Sequence, residues 1–372
     1  MIRKIKDLIK NDTVLLIATL LAIVSSIIIT PDLEYLDYIN YRVLAILMGL
    51  MIVMAGFKRM GVFTAVARGL LKLTGSVHSS SMVLVMLCFF FSMAITNDVA
   101  LISFVPLTLE MLRLLKREDL AIRIVALQTV AANLGSMATP IGNPQNLYLY
   151  DLMGVSFGAF IKIMIIPTLL SLVFLVAAIL FSIKNEKLET SNIKKASKIP
   201  TVKLVSFIVL FGINVLTVLG IVPFYVSLLI TIIAAVILDR GALYIDYALL
   251  LTFFMFFVFI GNMQRIESIV TMLNTLVAGR ELEAGILFSQ VISNVPAAML
   301  LSPFAESLPG LLYGVSLGGL GTLIASMASL ISYKYIARSD SSKISSSKYL
   351  VYFTVVCIIF LIPLYVVVKF LM

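Results

Sequence analysis

Charged side chains are scarce, making up 13% of the 372 residues where a soluble domain carries about a quarter. Histidine occurs once, as His78, and cysteine twice, as Cys88 and Cys357. One histidine and no Cys/His cluster leave no zinc site, and two cysteines inside apolar runs read as packing residues, not as a disulfide. A Walker-type glycine loop, a Rossmann fingerprint and a Ser/His/Asp set that could face one pocket are all missing. Nucleotide hydrolysis within this chain is therefore not expected, and neither are catalytic residues or an organic cofactor. What fills the chain is apolar: 61% of the residues, with a mean hydropathy of +1.11, against ~45–50% apolar in soluble proteins. A water-soluble fold is excluded. The runs are continuous, not alternating, so an outer-membrane barrel is excluded too.

A membrane-crossing helix needs ~20 mostly apolar residues. Runs of that kind lie at 13–30, 42–56, 125–150, 159–183, 202–219, 222–238, 244–261, 311–335 and 349–370. Two more, 81–115 and 285–304, carry a polar tip near the middle: Thr96-Asn97-Asp98 and Ser293-Asn294-Val295-Pro296. Each reads either as one long span or as a hairpin that dips into the membrane and returns. The placement of Lys and Arg decides between them, because cytoplasmic loops collect both. With the N-terminus (Arg3, Lys4, Lys6, Lys10) inside and both stretches re-entrant, only Arg42, Lys162, Arg265, Arg280 and Lys369 fall outside. Counting either hairpin as a full span moves basic loops to the wrong side. The net charge of +9 is thus a matter of topology, and no nucleic-acid partner is expected. The reading is an all-α polytopic protein of a cytoplasmic (inner) membrane with nine spans, N-terminus inside and C-terminus outside. The charged stretch 184–201 has the composition of a solvated linker dividing 1–183 from 202–372.

The two halves repeat. Ser92 lies over Ser289, Asn97 over Asn294 and Pro106 over Pro303 at a single offset, and Leu134–Thr139 lies over Leu317–Thr322. By the topology above the first hairpin opens to the cytoplasm and the second to the outside. That is an inverted repeat, the architecture of secondary transporters. Taken alone, Ser, Thr, Asn and Gly in a membrane helix are more often packing residues. The same pattern at inverted positions points to function.

Non-helical backbone survives in the bilayer only where protein or water satisfies it. The run 134–146 holds two glycines and two prolines, Pro140 and Pro144, and reads as a broken helix. Its counterpart at 316–326 relies on glycines alone. Oxygens at two tips and two breaks suit a small hard cation such as Na⁺: Ser92, Thr96, Asn97, Asp98 and Ser136 in one half, Ser289, Ser293, Asn294 and Gly319 in the other. Helix N-termini beginning after each tip and break suit an anion. The substrate-facing set is Asn97, Asp98, Asn294, Thr139, Pro140, Asn143 and Thr322. Asp98, the sole acid at either tip, is read as a cation ligand or proton carrier, or else as the cap of the following hairpin arm. Gln128, Asn133 and Asn214 are expected to bridge helices. Glu110 is expected to pair with Arg113 or Arg117, and His78 to be a solvated loop residue.

At these residues the chain resembles the ion transporter superfamily, which includes divalent anion:sodium symporters, citrate-transporter-like permeases, arsenite permeases and a class of sodium/proton antiporters. Ile141-Gly142-Asn143-Pro144-Gln145-Asn146 is similar to the Gly-Thr-Pro-Pro-Asn link of the divalent anion symporters. Thr96-Asn97 and Ser293-Asn294 sit where those proteins carry Ser-Asn-Thr, and Ser92 and Ser289 match their further sodium-ligating hydroxyls. Thr96-Asn97-Asp98 is also similar to the Asn-Asp tip of arsenite permeases. The resemblance implies a homodimer in which a hairpin-bearing transport part (79–183 and 283–372) moves past a scaffold (13–56 and 202–261). The expected function is secondary transport of a small anion, a carboxylate or an inorganic oxyanion, coupled to Na⁺ or H⁺. Arsenite or antimonite efflux and Na⁺/H⁺ exchange are the alternatives.

Overall fold

The computed structural model describes residues 13–187, 199–339 and 344–372. The basic residues Arg3, Lys4, Lys6 and Lys10, most of the linker at 184–201, and Lys343 lie outside the described residues. Within them the chain is helical, with one isolated bridge between Ser76 and Lys187. Six helical stretches are long and apolar enough to cross a membrane. Their outward faces stay apolar, with Phe181 91% and Val202 76% exposed, a surface that water would not tolerate and lipid solvates.

Helices α1 (Thr13–Ile28) and α2 (Tyr41–Arg59) open the chain, followed by the short amphipathic α3 (Val62–Leu71). Asn40 caps α2 by accepting from the Val43 N–H. Helices α4 (Val77–Ile95) and α5 (Asn97–Leu114) form the first interrupted stretch, and a reciprocal Ser76–Ser79 capping box starts α4. Both outer ends of this stretch reach Glu186: the Val77 N–H donates to its carbonyl and Arg117 pairs with its carboxylate. The stretch therefore folds back on itself.

Next come α6 (Ala121–Ser136), α7 (Pro144–Met153) and the 26-residue α8 (Phe157–Ser182). Every residue of α6 from Ile124 onward is buried, so α6 is the central rod against which α4, α5 and α8 pack. Pro144 cannot donate to a preceding carbonyl, so it begins α7 instead of continuing α6. Helices α9 (Thr201–Val218), α10 (Phe224–Leu238) and α11 (Tyr247–Gln264) follow. They pack with the opening of the chain, α11 against α1 and both α9 and α10 against α2. Asn214 donates to Thr231 across α9 and α10, and Gln128 to the Leu84 carbonyl and the Thr108 hydroxyl across α4, α5 and α6, each bridging helices as read.

After α12 (Glu267–Val277), the second interrupted stretch comprises α13 (Glu281–Ile292) and α14 (Asn294–Leu301). Here the carboxylate of Glu281 gathers the ends, accepting from the backbone N–H groups of Gly279, Glu306 and Ser307. The return arms differ in length. Pro106 is carried inside α5, whereas its aligned partner Pro303 follows the end of α14 and sits in a single 3₁₀ turn, Ser302–Phe304. Helices α15 (Leu308–Gly318), α16 (Met327–Ala337) and α17 (Ser346–Leu371) close the chain.

The long helix α8 relates the two stretches. Its C-terminal end meets the first hairpin's base, where Arg123 donates to the Ser182 carbonyl beside Glu186. Near its other end the Ile163 carbonyl accepts from Tyr313, next to Gly314, which packs on the Glu281 and Leu282 carbonyls. About 28 Å of helix, at 1.5 Å per residue, separates Ile163 from Ser182.

Two readings of single residues are corrected. Glu110 pairs with neither Arg113 nor Arg117 but with Arg68 of α3 at 3.4 Å, while those arginines turn to Glu118 and to Asp119 and Glu186. The carboxylates after α5 and after α8 outcompete the same-helix spacing. His78 lies not in a loop but in the first turn of α4, half-buried.

Candidate functional site

The two tips have the same backbone. Thr96 takes φ 69°, ψ 150° and Ser293 takes φ 74°, ψ 154°, a region that costs an L-residue ~1–3 kcal/mol. What holds them is also the same. The Asn97 N–H donates to the Gly142 carbonyl at 3.2 Å, and the Asn294 N–H to the Ala325 carbonyl at 3.0 Å. Each tip is thus tied to the non-helical link of the broken helix beside it, 137–143 between α6 and α7, and 319–326 between α15 and α16. These links leave carbonyls without helical partners, and the tips use two of them.

The remaining contacts repeat as well. Ser92 and Ser289 donate to carbonyls one turn back, Phe89 and Gly285, and lie against Gly135 and Gly318. A Cβ at Gly135 would stand 2.1 Å from the Phe89 oxygen, and one at Gly318 2.6 Å from the Ser289 hydroxyl, so glycine is required for this close approach. Thr139 donates to the Met93 carbonyl and Thr322 to the Gln290 carbonyl, each pinning a link to a hairpin arm.

Four helix N-termini converge on one narrow cleft: those of α5, α7, α14 and α16. It is lined by Asn97 and Asp98, by Asn143, Pro144 and Gln145, by Asn294 and Val295, and by Ser326 and Met327, with Leu249 of α11 closing one side. Each N-terminus contributes partial positive charge, which favours an anion. A larger cavity of about 440 Å³ adjoins it, sharing Asp98, Asn143, Pro144, Leu249 and Met327 and walled by α2 (Leu47, Met54) and by Ile245. Lys58, Asp246 and Lys334 stand exposed at its edge.

Of the residues singled out in the sequence, Asn97, Asp98, Asn143 and Asn294 line the cleft and Thr96 lines the adjoining cavity. Ser293 is buried behind its tip, its hydroxyl 3.4 Å from the Asn294 side-chain oxygen. Ser136 donates to the Asn133 carbonyl and accepts from the Asn143 amide. Gly319 accepts from Asn133. Ser92, Ser289, Thr139, Pro140 and Thr322 do not line the cleft; they stand in the layer that fixes the tips and links, and Thr322 is exposed. Asp98 follows Asn97, whose side-chain oxygen accepts the Asp98 N–H at 2.9 Å. Among the described residues no basic group stands within ion-pair distance of its carboxylate. Groups of three or more His, Cys, Asp and Glu fit to hold a metal ion are likewise absent among them.

Two residues of the site are missing from the sequence-based set. Asn133, in the last turn of α6, accepts from Asn97 and Ser326 and donates to the Gly319 carbonyl and to Ser329. It joins the first tip to the second link. Gln145, fully buried, lines the cleft. The signal for Gln145 was its place inside Asn143–Asn146, and for Asn133 its alignment over Ser316, which reaches Asn146 in turn at 3.5 Å.

Comparison with known proteins agrees with this architecture. Residues 2–310 match the family model described as citrate transporter. An uncharacterized transporter of Methanocaldococcus jannaschii is 37% identical over 255 residues, covering 68% of this chain and 69% of that protein. The inner membrane protein YbiR of Escherichia coli is 30% identical over 303 residues, 80% of each chain. The chain is a multi-pass membrane protein and belongs to the citrate transporter family.

Proposed function

We propose that the protein is a secondary transporter of a small carboxylate or related oxyanion, citrate-like in its charge and oxygen pattern, and that the cleft between the two tips is its solute site. The observation that carries this is the meeting of four helix N-termini with Asn97 and Asn294 in one cleft at the end of a cavity. Such a site stabilises negative charge without spending a basic side chain. The halves are read as an inverted repeat, supported by the tip and link bonds that recur in both and by the separation of the hairpin bases along α8. The hairpins with α6–α8 and α15–α17 form the moving part, and α1, α2 and α9–α11 the scaffold, in keeping with how these groups pack. The placement of Lys and Arg supports an N-terminus on the cytoplasmic side of the inner membrane and a C-terminus outside, and the resemblance to the superfamily supports a homodimer.

The hydroxyls and carbonyls behind the tips (Ser92, Thr96, Ser136, Ser289, Ser293, Gly319) supply oxygen ligands for Na⁺. Asp98, a carboxylate in the cleft with no basic side chain in ion-pair reach among the described residues, favours H⁺ as the coupling ion. Uptake of labelled citrate into proteoliposomes tests the reading. Asn97→Ala and Asn294→Ala are each expected to abolish uptake in protein that remains folded; full uptake in both dismisses the site. Asp98→Asn is expected to remove the pH dependence of uptake and leave its Na⁺ dependence unchanged. A thermal-unfolding screen against citrate, succinate, sulfate, arsenite and Na⁺ identifies the solute, because a ligand of the native state raises stability.

A further inference from the structure

Most polar side chains in the cleft spend their hydrogen bonds on the protein. Asn97 gives its amide to Asn133 and its oxygen to the Asp98 N–H, Asn143 donates to Ser136, and Ser326 donates to Asn133. Gln145 does not. It is fully buried, it lines the cleft at the N-terminal turn of α7, and neither its Nε2 nor its Oε1 has a partner among the described residues. Other buried side chains with an orphaned atom, such as Gln128 and Asn262, lack a partner at one end only and lie away from this cleft. A buried amide with donor and acceptor both unmet is costly unless something else satisfies it.

A primary amide presents its N–H and its C=O side by side. The complement is a solute group with an acceptor and a donor on adjacent atoms, which a hydroxyl next to a carboxylate supplies. We propose that Gln145 contacts the transported solute directly, its Nε2 donating to a carboxylate oxygen and its Oε1 accepting from the neighbouring hydroxyl, so that Gln145 selects 2-hydroxycarboxylates over their deoxy counterparts. The inference rests on the transport reading above and adds to it a residue and a preference. The positive end of α7 adds attraction for the same carboxylate. A site built to bond a hydroxyl rejects the analogue that lacks it, because its own buried atoms are then left unpaired.

The test is the initial rate of uptake into proteoliposomes for two pairs of probes: citrate with tricarballylate, and malate with succinate. The wild type is expected to favour the hydroxylated member of at least one pair by about tenfold or more. In Gln145→Leu and Gln145→Met that ratio is expected to fall to within about twofold, because the hydroxylated member loses two bonds to the amide and the deoxy member only the one to its carboxylate. Both variants are expected to unfold, without solute, at or above the wild-type temperature, since they remove unsatisfied polar atoms. A merely structural amide would give lower unfolding temperatures with the preference intact, and that result overturns the assignment. So does a wild type that carries these carboxylates without regard to the hydroxyl. A wild type that carries none of the four overturns the carboxylate part of the transport reading, and this proposal with it.

Discussion

Oδ1 of Asn133 accepts the side-chain N–H of Asn97 at 3.0 Å, so an amide from the last turn of α6 holds the first hairpin tip in place. The same oxygen accepts from Ser326 at 3.0 Å, and the amide nitrogen donates to the Gly319 carbonyl at 3.2 Å, both on the link of the other half. One buried side chain therefore fixes groups from both halves relative to each other. Asn133→Ala is expected to leave at least two buried polar groups unpaired, at ~1–3 kcal/mol each, and so to lower the unfolding temperature markedly and to abolish uptake. Asn133→Asp keeps the acceptor but loses the donor to Gly319, and should fall between the two. Thermal unfolding of the purified variants, read beside uptake, checks both.

The close approach of hairpin to broken helix gives a second expectation. Gly135→Ala puts a methyl group 2.1 Å from a backbone oxygen, and Gly318→Ala puts one 2.6 Å from a buried hydroxyl. Neither backbone can yield without moving a tip, so each substitution is expected to cost ~2 kcal/mol or more and to impair uptake. Gly212→Ala, in α9 with open space around it, is expected to be neutral or to gain ~0.5–1 kcal/mol. Unfolding temperatures measured side by side separate these outcomes.

At the far end of α7, Asp151 accepts from Arg42 and from Asn40, both at 2.7 Å, joining the start of α2 to the end of α7. If the hairpin-bearing part moves past the scaffold, this clasp must open. The cavity beside Asp98 has Lys58, at the opposite end of α2, on its edge, so the clasp closes the side away from it. A partly exposed pair of this kind is worth ~1 kcal/mol, and Asp151→Ala is expected to shift the ratio of the two orientations roughly fivefold. A Val295→Cys reporter in the cleft, labelled by a membrane-impermeant maleimide from the Arg42 side, should react correspondingly faster. The native Cys88 and Cys357 are buried and add little background. Unchanged labelling would show that the clasp does not open.

Much of this arrangement is legible in the chain because the membrane enforces simple rules. Continuous apolar runs give helices, and Thr96-Asn97 and Ser293-Asn294 mark the two points where helices stop inside them. Pro144 marks the start of α7 because proline lacks the donor that α6 would need to continue. What the sequence did not disclose is the second layer. Asn133 looks like any amide that bridges helices, and only the folded chain shows that it reaches groups of both halves. The aligned prolines 106 and 303 read alike, yet one sits inside a helix and the other ends one. Glu110 had two arginines at helical spacing and found a third on α3, since competition among carboxylates is decided by tertiary packing.

The most direct measurement is a cryo-EM map of the protein in lipid at saturating citrate. The account expects solute density in the cleft, within hydrogen-bond distance of Asn97 or Asn294 and of Gln145, with the first turns of α5, α7, α14 and α16 around it. Density for citrate at any other place, with this cleft unoccupied in a preparation shown to carry citrate, would contradict it.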